Sequence, residues 1–187
     1  MAARLGFKGL ASVPEDFASA YAEARRLAVG AARPLAVTDD ATAEPIPGGA
    51  RVGGMPVTGE LAARHLAGAG SASLVLLTLG PGVDDMLSRA SAGGDALLAF
   101  LADGVASELA EFCVRSVDQG LRDERPGLRG GARISPGFGD LPLRLNAWLV
   151  DRLGGGEVGV SVRPDSFALV PRKTVTAIIA WKGHGQA

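Results

Sequence analysis

Apolar positions along this chain follow two rhythms. Phe17, Ala20, Tyr21, Ala24 and Leu27 recur at three- and four-residue steps, which predicts a helix with one buried face running to about Val29. Ser12-Val13-Pro14-Glu15-Asp16 supplies its start: a capping hydroxyl, a proline in the first turn and acids facing the helix dipole. From Ala32 to Val57 the pattern is broken by Pro34, Pro45, Pro47, Pro56 and several glycines, which reads as short strands or an ordered loop. Thr58 is placed to cap a second helix reaching about Leu66, with Gly68 and Gly70 behind it. Ser73–Leu79 is a continuous apolar run bounded by turns, the pattern of a buried strand. Gly80-Pro81-Gly82 ends it, and a short helix follows. Leu98, Leu101, Val105, Leu109 and Phe112 then form the core stripe of a long helix over about 96–119. The run Arg122–Arg129 reads as a charged, exposed loop.

The last third changes period. Ala132–Ser135 reads as a brief strand and Pro136–Gly139 as a tight loop. Asp140–Pro142 opens a helix with Leu145, Trp148, Leu149 and Leu153 on one face, stopped by Gly154-Gly155-Gly156. Val158, Val160 and Val162 alternate, as do Val175, Ala177, Ile179 and Trp181, so both segments read as half-buried strands, with Ser166–Val170 pairing between them. Strands connected this closely are antiparallel, and helices do not alternate with them one for one. The expected class is α+β, an antiparallel sheet packed with helices. The expected organisation is a single domain over 1–187, with residues 182–187 a polar tail.

Composition narrows the function classes. Nineteen Lys and Arg oppose twenty Asp and Glu, a net charge of −1, which removes the electrostatic basis for non-specific binding to nucleic acid or an anionic membrane. One cysteine permits no internal disulfide, and two histidines build no zinc site with it. No apolar run approaches the roughly 20 residues of a membrane helix. A cytoplasmic protein is the expectation. His65, His184 and Cys113 have no partners at ligand or catalytic spacing, and Asp39-Asp40 and Asp84-Asp85 read as dipole complements. None of the three glycine clusters completes a dinucleotide fingerprint, which disfavours a free-standing methyltransferase of the Rossmann type.

One segment is over-specified. In Arg133-Ile134-Ser135-Pro136-Gly137-Phe138-Gly139-Asp140 a strand delivers an arginine to a rigid loop whose glycines let the backbone approach a ligand beside an aromatic ring. An arginine fork suits a carboxylate, and bare carbonyls suit an ammonium or sulfonium, so an amino-acid-like ligand fits. On the residues alone a second reading stays open, in which Arg133 closes an internal salt bridge and Asp140 caps the next helix.

The same segment resembles the R-x-x-x-G-Y motif of the activation domain of cobalamin-dependent methionine synthase. Gly159-Val160-Ser161-Val162 and Asp165-Ser166-Phe167-Ala168-Leu169-Val170-Pro171-Arg172-Lys173-Thr174-Val175-Thr176-Ala177-Ile178-Ile179 resemble that domain's second conserved block, in the same order. Thr78–Asp84 and the Ser107-Glu108 step are similar to the short, free-standing members. The match runs from about Thr58 to Trp181, and residues 1–57 match weakly. The resemblance implies a chain that binds S-adenosylmethionine and supports reductive remethylation of the cobalamin on a separate corrinoid protein or methyltransferase, with an electron from a flavodoxin- or ferredoxin-type donor. The alternative is a module that docks on such a partner without binding S-adenosylmethionine.

Residue by residue, the resemblance implies Arg133 on the ligand carboxylate, Ile134, Ser135, Pro136 and Gly137 along the ligand, and Phe138 and Gly139 toward the cobalamin. Glu108, Asp140, Ser166 and Phe167 would support them. No metal ligand and no catalytic residue is implied on this chain, because the demanding chemistry belongs to the cobalamin. Phe138 stands where the motif has Tyr, so a phenol hydroxyl is missing. The family's late aromatic pair has no counterpart after Trp181, which is the candidate for a partial aromatic wall.

Overall fold

The computed structural model describes residues 15–183; the Ser12 cap, His184 and the rest of the tail lie outside them. Five helices and eight strands follow in the order α1 (Glu15–Ala31), β1 (Leu35–Ile46), β2 (Gly49–Val52), β3 (Met55–Thr58), α2 (Glu60–Leu66), β4 (Ser71–Thr78), α3 (Pro81–Ala92), α4 (Ala96–Asp123), β5 (Leu128–Gly130), α5 (Leu145–Arg152), β6 (Ser161–Val162), β7 (Leu169–Val170) and β8 (Thr174–Gly183). Six strands form one sheet in the order β3-β2-β1-β4-β8-β5, every neighbouring pair antiparallel, while β6 and β7 pair separately. The α+β expectation holds.

Helices cover both faces of the sheet, which explains the apolar runs. In β4, Ala72, Leu74 and Leu76 face α2 and α5, whereas Val75 and Leu77 face the C-terminal half of α4. Strand β8 does the same, with Ile178 and Ala180 on the first face and Ala177, Ile179 and Trp181 on the second. Alternation there does not mean half-burial, because Ala177–Trp181 are all buried. The first half of α4 leaves the sheet and packs with α1 and α3 around Ala28, Val83, Leu101 and Val105.

Several expectations are corrected. Of the two readings of the proline-broken stretch, strands hold and the loop does not, but β1 is not short: it has twelve residues. Asp39 and Asp40 lie in β1, not at a helix start. Thr58 ends β3 and caps nothing; the N-cap position of α2 is Gly59, whose side chain-free Cα leaves room for the Asp140 carboxylate that caps the helix instead. Val158 closes a short 3₁₀ turn from Gly155, so only Ser161 and Val162 are strand there. Phe112 is 67% exposed rather than part of the α4 core stripe.

Arg122–Arg129 is no free loop. Arg122 belongs to α4 and donates to the carbonyls of Gly130 (3.1 Å) and Gly131 (2.8 Å). Arg125 lies 5.1 Å over the Trp181 ring and bonds Asp40 at 2.6 Å. Asp40 also accepts from Ser73 (2.6 Å), which accepts from the Trp181 indole N–H (2.8 Å). Trp181 is thereby committed to the core and forms no aromatic wall for a ligand. Lys182 and Gly183, placed in the tail by the sequence, pair with Arg129 and Leu128.

Candidate functional site

The site grows out of an interrupted sheet edge. Beyond β5, Gly131 donates to the Ala180 carbonyl at 2.8 Å, and Ile134 exchanges two hydrogen bonds with Ile178 (3.0 and 2.8 Å). The chain then leaves the edge at Pro136. Phe138 N–H donates to the Ser135 carbonyl (3.1 Å), Gly137 N–H to that of Leu141 (2.8 Å), and Leu141 N–H to that of Phe138 (3.0 Å), so the loop is tightly closed. Gly137 has φ +87°, and a Cβ there would stand 2.8 Å from Leu143 Cδ2; only glycine suits this turn. As a result, among the described residues, Thr174–Thr176 of β8 have no strand on the side opposite β4. A cavity of about 400 Å³ opens along that gap, with Arg133, Phe138, Asn146, Arg172 and Thr176 in its walls. A smaller one of about 230 Å³, lined by Leu61 and His65, lies across the Arg133–Ser135 segment. The two blocks that carry the sequence resemblance converge on the larger cavity.

Its charges are arranged in pairs. Arg133, 18% exposed, donates through Nη2 to both Glu111 oxygens at 3.0 Å, and Glu111 also accepts from Arg115 Nε at 2.8 Å. Partial burial pushes the Glu111 carboxyl up, but the bonds from Arg115 and Arg133 outweigh it and hold it below the ordinary carboxylate range. Both bonds of Arg133 run through one nitrogen, so the internal salt bridge and a ligand-facing guanidinium are compatible. Arg172 donates its backbone N–H to Asp84 Oδ2 (3.0 Å) and sets Nε 3.5 Å from Asp84 Oδ1. Lys173 bonds Ser107 and Asp103, both at 2.8 Å.

The floor rests on one buried amide. Asn146 of α5 donates to the Phe167 carbonyl (2.9 Å) and accepts from the Thr176 hydroxyl (2.7 Å). Phe167 sits at φ +56°, a left-handed conformation that costs a non-glycine residue about 1–2 kcal/mol, and the Asn146 bond helps to hold it.

Of the sequence candidates, Arg133, Ser135, Pro136 and Phe138 line the cavity, and Phe138 is 70% exposed at its rim. Ile134 is a core residue bridging to Ile178. Gly137 and Gly139 (φ +56°) shape the turn. Asp140 caps a helix, but the one eighty residues earlier: it accepts from Glu60 N–H and from Leu61 N–H (3.1 Å), bonds that lower its pKa. Glu108 is half-buried one turn before Glu111. Ser166 is exposed and donates to Asp165 (3.2 Å). Cys113 is half-buried and its thiol is pushed up by burial, the reverse of nucleophile activation. Asp39 pairs with Arg152 and Asp84 with Arg172. Among the described residues no three His, Cys, Asp or Glu side chains gather to hold a metal, and no helix is long and apolar enough to cross a membrane.

Sequence reasoning missed Glu111, Asn146 and Arg172. Glu111 follows Asp103 and Ser107 at four-residue steps on one face of α4, a signal that was readable. Asn146 beside Leu145 on the apolar face of α5 was another.

No family model matches the chain, and no curated protein does. A search of solved structures returns the crystal structure of the MetH reactivation domain bound to AdoHcy, with a TM-score of 0.68 at 15% identity over 92% of this chain and 67% of that one. The chain has the fold of the MetH reactivation domain. At 15% identity over 92% of this chain the likeness is one of architecture.

Proposed function

We propose that this chain binds S-adenosylmethionine in the cavity beside Arg133 and presents it to a cobalamin carried by a separate corrinoid protein or methionine synthase. The observation that carries the reading is the convergence of the two resembling blocks, from Arg133 and from Ala168, on one 400 Å³ cavity along an unpaired strand edge. In this reading Arg133 grips the ligand carboxylate with the guanidinium nitrogens that Glu111 does not use. Glu111 balances that charge and faces the ligand ammonium. Phe138 and Leu143, exposed at the rim, meet the partner. A cobalamin on the partner, once reduced by one electron from a flavodoxin- or ferredoxin-type donor, would supply the nucleophile for the methyl group, leaving S-adenosylhomocysteine; this chain binds and orients the methyl donor through Arg133.

Calorimetric titration tests the reading. Wild type is expected to bind S-adenosylmethionine, and Arg133→Ala to weaken it about ten- to hundredfold, the worth of a charge-assisted pair of bonds. No heat and no thermal shift at millimolar ligand refutes it. The exposure of Phe138 and Leu143 favours one second reading, a docking module that needs no ligand. It predicts co-elution with the partner that is insensitive to Arg133→Ala and lost in Phe138→Ala.

A further inference from the structure

We propose that Arg172 sets the charge preference of this cavity, favouring the neutral thioether S-adenosylhomocysteine over the sulfonium S-adenosylmethionine. The inference rests on the ligand class proposed above and concerns a residue to which the resemblance gives no role.

The argument is one of charge compensation. Arg133 and Arg172 line the cavity, and Lys173 and Arg115 stand behind it. Arg133 is held by both oxygens of Glu111 at 3.0 Å. Lys173 is turned away and matched by Asp103 at 2.8 Å. Arg172 is different: its side chain is 58% exposed, and its guanidinium meets the Asp84 carboxylate through one oxygen at 3.5 Å. That oxygen, Asp84 Oδ1, is buried and accepts no hydrogen bond, so the pair is an ion pair without the directional bonds that would neutralise it locally. The other acid in the wall, Glu111, is divided between Arg115 and Arg133. The remaining lining, including Phe138, Leu143, Asn146, Leu169 and Thr176, is uncharged. Arg172 is therefore the cation of the lining whose guanidinium no hydrogen bond to its counter-charge holds in place.

The two ligands differ by one methyl group and one positive charge. Both carry an amino-acid zwitterion and an adenosine, so contacts to those parts contribute equally and cancel in the ratio of affinities. What remains is the interaction of the sulfonium with the wall. A 400 Å³ cavity keeps every ligand atom within about 10 Å of its lining. At about 8 Å, with a dielectric between that of a protein surface and water, one unit charge changes affinity about threefold. The sign follows from Arg172 being a cation: it disfavours the sulfonium. Arg172 thus weighs against the sulfonium relative to the demethylated form.

The test compares the dissociation constants of the two ligands by calorimetry at low salt. The ratio of the S-adenosylmethionine to the S-adenosylhomocysteine constant is expected to fall about threefold in Arg172→Gln and to stay at the wild-type value in Arg172→Lys. Asp84→Asn, which strips the counter-charge and keeps an acceptor for the Arg172 N–H, is expected to raise it. Raising the salt to about 1 M, where the screening length is about 3 Å, should compress these differences. Both ligands binding with a ratio that Arg172→Gln leaves unchanged or raises overturns the role of Arg172 and leaves the ligand reading standing. Neither ligand binding to wild type overturns both.

Discussion

Replacing Asn146 with alanine strips two hydrogen bonds from the interior at once. The Thr176 hydroxyl, 2% exposed, loses the acceptor at 2.7 Å, and the Phe167 carbonyl loses the donor at 2.9 Å. A buried polar group left without a partner costs about 1–3 kcal/mol. The Thr176 hydroxyl can rotate and Phe167 is only half-buried, so the expected loss for Asn146→Ala is about 2–4 kcal/mol, or about 5–15 °C in Tm for a chain of this length. Urea unfolding followed by far-UV circular dichroism measures it. Thr176→Val removes the same bond from the other end, so the double variant should be less destabilised than the sum of the singles by about 1 kcal/mol. A loss below about 0.5 kcal/mol, the range of an unremarkable surface change, or strict additivity of the two variants, refutes the account of how the cavity floor is held.

Two further outcomes follow from the same geometry. Gly130→Ala would set a Cβ 2.7 Å from Trp181 Cζ3 and 2.5 Å from Arg122 Nη1, which is overpacking worth about 1–3 kcal/mol; equilibrium unfolding at unchanged m-value checks it. The depressed Glu111 pKa makes its pair with Arg133 stabilising above the unfolded carboxyl pKa of about 4.3, with that stability lost as pH falls through the lower folded value. Glu111→Gln should therefore be less stable than wild type at pH 6 and should converge on it in acid. A gap that persists below pH 3, in thermal scans across that range, contradicts this.

What the sequence made legible follows from how locally each feature is encoded. The α4 stripe at Leu98, Leu101 and Val105 and the Ser73–Leu79 run declare themselves through periodicity, because burial within one element repeats in the residues of that element. The glycine turn at Gly137–Gly139 is likewise local. Glycine and proline density left strands and an ordered loop open at residues 32–57: Pro45 and Pro56 pair in β1 and β3, near the outer margin of the sheet, where a strand tolerates proline. Asp140 shows the other limit. Its capping role was read correctly in kind, but the helix it caps is α2, a partner chosen by tertiary packing and invisible to spacing. Glu111 and Asn146 stood at positions their helices' spacing makes readable, but their partners did not, since their bonds span 22 and 30 residues. Trp181 looked like a ligand wall from its aromaticity, and the Ser73–Asp40–Arg125 chain claims it for the core instead.

The place of β8 in the sheet bears on how the chain reaches its native state. Residues 174–181 pair with 71–78, about a hundred positions earlier, and only from Trp181 onward does β8 carry β5 on its other edge. Until residue 181 has been synthesised, β4 offers one bare edge and the row Leu74–Leu77 on its two faces, the combination that invites pairing with other chains. Non-local pairing of this kind also makes for slow folding. During synthesis α1, α3 and α4 can already assemble around Ala28, Val83 and Leu101, while the cavity, whose wall is β8 itself, is the last feature to take shape.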